Sequence, residues 1–393
     1  METVKDADTL NQEPLPMTEL VHVTDLVDGT PGTHAIVIGI GTYPSGGDVA
    51  ETAALADLKS PPRTAVAVAD WLICEYNNPC RPLASVSLII SEEEPFLYRN
   101  PVTGVEHEVP RGTSDDLKRC VRDWAERARS NFENGAIFYF CGHGLSSGHR
   151  NCLLSRSFGD DSFNHLSGAF DRASVVTSMR LFGPKQQLFL FDACRTECPE
   201  LLKSGEPATP FLSPRPGQFS SGPVEQCSLL ATAEGAGAFG AAHGISIFAT
   251  EFLKACRSAA EERGGWWIRT HLVLRHMKRF LRGQACQFEG DDVDVHRLTG
   301  NPAIPVTISC DPSEHISSAR LEIRRGGATV IQFDGNCQLD VDAWHLSLES
   351  GSYRVAATAC ICSGFEPFEC PEFLVYPPFA DIIVDMARRA VAR

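Results

Sequence analysis

Four short apolar runs constrain this chain more than any other feature: AIVIGIG at 35–41, SVSLII at 85–90, GAIFYFC at 135–141 and QQLFLFDA at 186–193. Each is shorter than a typical helix and apolar almost throughout, as a strand must be when both faces of its sheet are covered. Between them RTAVAVADWLICEY, SDDLKRCVRDWAERARSNF and DRASVVTSMRLFG read as helices. In the second, Ser114 is placed to cap a first turn carrying Asp115 and Asp116, whose charges suit the positive end of a helix. This alternation predicts an α/β fold, with a mostly parallel sheet flanked by helices.

Residues 199–226 break the pattern with clustered Pro, Gly and Ser, and read as a long exposed loop. CSLLATA at 227–233 then predicts a fifth strand, and SIFATEFLKACRSAA and WWIRTHLVLRHMKRFLR predict two more helices. From about residue 305 the period changes to two in ARLEIRR, ATVIQFDG, CQLDVDAWHLSLE and GSYRVAATACI, which predicts a small antiparallel β-sandwich over 305–393. Residues 1–30 are polar and aperiodic and read as a tail or an edge wrap, leaving 31–304 as the main domain.

A formal charge of −15 argues against a nucleic-acid partner, whose site would be basic. The N-terminus lacks the basic and apolar regions of a secretory signal, and no run reaches the roughly 18 apolar residues that cross a bilayer. A cytoplasmic location without membrane attachment is expected. There the 15 cysteines read first as thiols rather than as a disulfide framework. CICSGFEPFEC lacks the paired spacing and histidines of a zinc site, so no metal is expected.

Two of the strands end in chemically able residues. IFYFCGHGL places His143 between Gly142 and Gly144, and LFLFDACRTE places Cys194 after the fourth strand. In open α/β sheets, sites form at the carboxyl ends of the strands. A thiol near pKa ~8.5 is mostly protonated at neutral pH and needs a base to become a nucleophile. Imidazole supplies one, because its pKa lies near the working pH. Gly142 and Gly144 would let backbone approach a substrate closely, with the Gly144 amide available to an oxyanion.

FYFCGHGL and LFLFDACRTE resemble the His and Cys motifs of the caspase-like cysteine peptidases, which include caspases, metacaspases and bacterial relatives. HAIVIGIGTYP is similar to the first strand of that fold and SPPRTAVAVADWL to its first helix. SLLATAEGAGAFG and GISIFATEFLKA are similar to its small-subunit half. The resemblance implies a caspase-like fold over 31–304 and an endopeptidase needing no cofactor. His143 would be general base and acid, Cys194 the nucleophile, and the amides of Gly144 and Cys194 the oxyanion hole. Ala233, Glu234 and His243 would line the substrate groove. Asp192 stands where metacaspases carry an acid and animal caspases a glutamine, which implies cleavage after Arg or Lys. The alternative for Asp192 is a brace of the strand–loop turn.

One departure concerns the second acid of metacaspases, in a sequence like Asn-Asp-Ala, where this chain reads Arg63-Thr64-Ala65. Lys59 and Arg63 would favour an acidic substrate residue instead. Caspases are cut in a linker that corresponds to 199–226, where Lys203 and Arg215 are the basic residues, so a zymogen is implied. Bacterial relatives often act in signalling or antiviral conflict systems, which implies protein substrates and an upstream activating protease or regulator. A pseudoenzyme that binds peptide without cleaving it, and a non-peptidase thiol hydrolase, are the rival readings. QAC at 284–286 is a decoy, since QACQF lacks the final glycine of the caspase motif, and Cys286 follows a basic helix. GIGTYPSGG has Pro44 where a dinucleotide loop needs glycine, and His149 reads as a loop residue.

Overall fold

The computed structural model describes residues 18–45, 55–147, 150–164, 166–193, 196–197, 208–213, 222–232, 244–281, 284–311, 319–334, 343–359, 368–369 and 372–385. Its centre is a seven-stranded sheet made of β1 (Leu20–Val23), β2 (Thr33–Ile40), β3 (Leu83–Ser91), β4 (Gly135–Gly142), β5 (Gln186–Ala193), β6 (Glu225–Thr232) and β7 (Ala285–Gly290). The strand order is β1-β3-β2-β4-β5-β6-β7, parallel from β3 to β6 and antiparallel at both edges.

Side-chain alternation explains why the inner strands are apolar along their length. Ala35, Val37, Tyr139, Leu188 and Leu190 face one core, with α1 (Ser60–Cys74), α4 (Ile247–Ser258) and α5 (Thr270–Phe280). Ile36, Ile38, Phe138, Phe189 and Phe191 face the other, with α2 (Ser114–Arg129) and α3 (Arg172–Phe182). α2 buries Leu117, Val121, Trp124 and Ala128, spaced by three and four residues as one helical face requires.

The helix cap lies one residue earlier than the sequence suggests. Thr113, not Ser114, caps α2, because Thr113 Oγ1 accepts from the Asp116 amide and the Thr113 amide donates to Asp116 Oδ2, each at 3.2 Å. Ser114 Oγ instead meets Ser155 Oγ at 3.1 Å.

Three further expectations are corrected. Trp266–Arg269 is a strand paired with Ala260–Glu262 and Asp294–Arg297, so the helix expected from Trp266 starts at Thr270. The fifth strand begins inside the Pro/Gly/Ser segment, at Glu225. Within that segment Thr209–Pro210 also pairs with Phe170–Asp171. Phe211 is buried, its ring stacked 4.6 Å from Phe170. This part of the expected exposed loop is therefore docked into the core.

The C-terminal region is a two-sheet sandwich around Val306, Ile308, Leu321, Ile323, Trp344 and Val355. Among the described residues its pairings are antiparallel except one, since Ile304–Asp311 runs parallel to Ala380–Asp385. At the other end of the chain Leu20–Val23 wraps the edge of the central sheet as β1.

Candidate active site

The carboxyl ends of β2, β4, β5 and β6 share one edge of the sheet. β4 and β5 run in register there, with Asp192 opposite Cys141 and Ala193 opposite Gly142. β4 thus leads directly into His143, and β5 ends at Ala193, the residue before position 194 in the sequence. Cys194 itself lies outside the described residues, as do Ala233, Glu234, His243, Lys203, Arg215 and His149.

His143 is buried at 5% exposure and held from two sides by the loop that follows β2. Its amide donates to the Tyr43 hydroxyl at 2.8 Å, and Nε2 lies 2.8 Å from the Ala56 carbonyl. The Tyr43 and His143 ring centroids are 4.8 Å apart. A carbonyl only accepts, so Nε2 carries the ring hydrogen and Nδ1 of the neutral ring keeps its lone pair. Burial pulls the His143 pKa below the usual histidine value, while the Ala56 carbonyl and the Asp57 charge oppose that shift. Asp57 also fixes the loop, since its Oδ1 accepts from the Tyr43 amide at 2.7 Å.

Gly142 also has a steric role within the protein. A Cβ there would lie 2.8 Å from the Tyr43 hydroxyl and 3.2 Å from the Ile40 carbonyl, so the glycine makes room for the group that holds His143. Gly144 opens a hairpin strand, Gly144–Ser147, paired with Arg150–Leu154.

Asp192 is 2% exposed at the end of β5. Its Oδ2 accepts from the Tyr139 hydroxyl at 2.7 Å and from the Ser246 hydroxyl. Burial raises the Asp192 pKa, and hydrogen bonds from Ser246, Tyr139 and Cys141 oppose the rise. Ser246 caps α4 by accepting from the Ala249 amide at 3.0 Å, and its own amide donates to Thr64 Oγ1 at 2.9 Å. Thr64 is fully buried, whereas Lys59 and Arg63 beside it are exposed.

Cys286 sits within β7 opposite Ala231, so the decoy lies in a strand rather than merely after a helix. Burial pushes its thiol up to about 12, which keeps it protonated at neutral pH.

The residues that reasoning from sequence missed are those that hold the site: Tyr43, Ala56, Asp57, Tyr139 and Ser246. Tyr43 lies in GTYP directly after the first strand, which was the available signal. Ala56 acts through its carbonyl and offers none.

The fold and this strand-end histidine define a caspase-type α/β domain. Residues 33–289 match the caspase domain of the peptidase C14 family, which is more than half of the chain, and the chain belongs to that family. An uncharacterized protein of Sinorhizobium fredii, y4kE, is 29% identical over 157 residues, covering 36% of this chain and 44% of that protein. The match thus spans less than half of that relative's length. A crystal structure of protein GSU0716 from Geobacter sulfurreducens superposes with a TM-score of 0.38 at 10% identity, covering 66% of this chain and 94% of that one. Among the described residues no helix is long and apolar enough to cross a membrane.

Proposed function

We propose that this chain is a cysteine endopeptidase in which His143 and Cys194 act as a dyad. The observation that carries the reading is the His143–Ala56 bond at 2.8 Å, which leaves Nδ1 as the ring's proton acceptor on a residue that follows β4, the strand paired with β5. Nδ1 would take the Cys194 thiol proton, and the thiolate would attack the scissile carbonyl carbon. The amides of Gly144 and Cys194 would receive the oxyanion. Collapse would expel the amine, with its proton supplied by His143, and leave a thioester. A water deprotonated by His143 would then release the acid and restore the thiol.

Asp192 supports cleavage after Arg or Lys, being a buried carboxylate two residues before the nucleophile. Ala233, Glu234 and His243 would line the groove, as in the family. Protein substrates, cytoplasmic action in a defence or signalling cascade, and activation by cutting at Lys203 or Arg215 complete the proposal. The test is labelling with an electrophilic peptide probe at pH 7. The parent should be modified at Cys194, with labelling lost in Cys194→Ala and strongly reduced in His143→Ala. Equal labelling of the parent and His143→Ala at position 194 would remove the dyad.

A further inference from the structure

We propose that a cavity between the caspase-type domain and the C-terminal sandwich binds a small organic acid, with its carboxylate on Lys254 and its apolar body along the cavity wall. The inference does not rest on the peptidase chemistry proposed above and gives the chain a second site.

The cavity encloses about 690 Å³, within the roughly 300–1,000 Å³ of small-molecule sites. α4 and α5 form one wall, and the sandwich strands Ile304–Asp311 and Trp344–Leu348 form the other. Two links hold the walls together. Arg279 of α5 donates to both oxygens of Asp381, at 3.2 and 3.1 Å, and the Ala303 amide donates to the Arg257 carbonyl at 3.2 Å. Ile247, Phe280 and Leu346 line the cavity and are only partly buried, so each keeps apolar surface for an occupant to cover.

Most of the charge on the lining is committed. Arg257 donates to both oxygens of Glu75, and Arg279 to both of Asp381. Lys254 meets Glu251 at 2.8 Å, but Glu251 has a second neighbour. His276, 1% exposed, brings Nε2 to 3.4 Å from Glu251 Oε2 without forming a hydrogen bond. Its Nδ1 lies 3.4 Å from Ser258 Oγ, whose single hydrogen goes to the Lys254 carbonyl at 3.0 Å. The hydroxyl is therefore the acceptor, and Nδ1 carries a hydrogen. A bare Nε2 would then turn its lone pair on a carboxylate oxygen, so one further proton belongs to the His276–Glu251 pair. Wherever that proton sits, the pair sums to zero charge, and Lys254 is left as the uncompensated cation. Its ammonium has three hydrogens, Glu251 takes one of them, and the side chain is 58% exposed. An anionic oxygen in the cavity completes the balance. His345, on the sandwich wall, is the remaining titratable group of the lining, its Nδ1 3.4 Å from Thr307 Oγ1.

The test is isothermal titration calorimetry of the full chain with octanoate. Acetate, which lacks the apolar body, and octylammonium, which carries the opposite charge, are the comparison probes. Octanoate should bind at one saturable site, roughly tenfold or more tighter than either. Lys254→Gln should weaken octanoate by about fivefold, the upper range for a half-exposed ion pair, and Lys254→Arg should retain it. Leu346→Trp, which fills the cavity from the sandwich wall, should abolish the binding heat, with denaturant melts showing that each variant is folded. The probe comparison needs no variant, so it decides the inference even if Leu346→Trp fails to fold. The inference is overturned by a parent that gives no heat at millimolar octanoate or binds octylammonium or acetate equally well. Parent affinity in Lys254→Gln, or undiminished binding in folded Leu346→Trp, overturns it too.

Discussion

Tyr43→Phe is the sharpest probe of how the fold holds its histidine. The substitution keeps the ring 4.8 Å from His143 and removes only the hydroxyl, which donates to the Ile40 carbonyl at 3.1 Å and accepts from the His143 amide at 2.8 Å. Both partners are buried, so the loss strands a donor and an acceptor away from water. A buried unsatisfied group costs roughly 1–3 kcal/mol, so two of them put the variant at about 2–6 kcal/mol of lost stability. Denaturant melts should show that loss as a lower midpoint with an unchanged slope. Peptide cleavage should fall at least tenfold, because the histidine backbone is freed at the point where the imidazole must stay aimed. Tyr98→Phe is the control: Tyr98 is equally buried and donates to Asp70 at 2.7 Å, but it belongs to the other core. It should lose stability and keep activity. Tyr43→Phe with full stability and full activity would refute the role given to this hydroxyl.

Asp192→Asn should weaken cleavage after Arg or Lys by more than tenfold in peptide assays, from the loss of a charge-assisted contact worth about 1.5–3 kcal/mol. Phe211→Ala removes a buried ring stacked on Phe170, at a typical cost of about 3–5 kcal/mol. After cuts at Lys203 and Arg215 the intervening peptide should co-purify with the parent but not with this variant. Burial pulls His296 down to about 4, against about 6.5 in an unfolded chain. The unfolded state then binds the extra proton first, so stability falls as pH drops from about 6.5 to 4, by about 3 kcal/mol for this residue. His296→Phe should flatten that part of the stability–pH curve, with a residual slope from His34, also lowered to about 4.

The inner strands were legible because burial on both faces demands apolar residues at every position, and their ends then pointed to His143 and position 194. β7 was not legible, since an edge strand with exposed Ala285 and Gln287 carries no such run. The strand Trp266–Arg269 merged into the helix that follows because its aromatic residues and Ile268 also fit a helical stripe. Composition over 199–226 averaged a core phenylalanine into a loop, and one buried residue leaves no periodicity to detect. The contacts that hold the site are long-range: Tyr43 lies 100 residues from His143, and Ser246 lies 54 from Asp192. Nothing local marks either pair, and a backbone carbonyl such as that of Ala56 is invisible to any reading of side chains.

The most direct measurement of the central claim is a peptide-library digest read by mass spectrometry, run in parallel on the parent, Cys194→Ala, His143→Ala and Cys286→Ala. The dyad predicts cuts after Arg or Lys by the parent and by Cys286→Ala, none by Cys194→Ala, and nearly none by His143→Ala. The same cuts persisting in Cys194→Ala would contradict it.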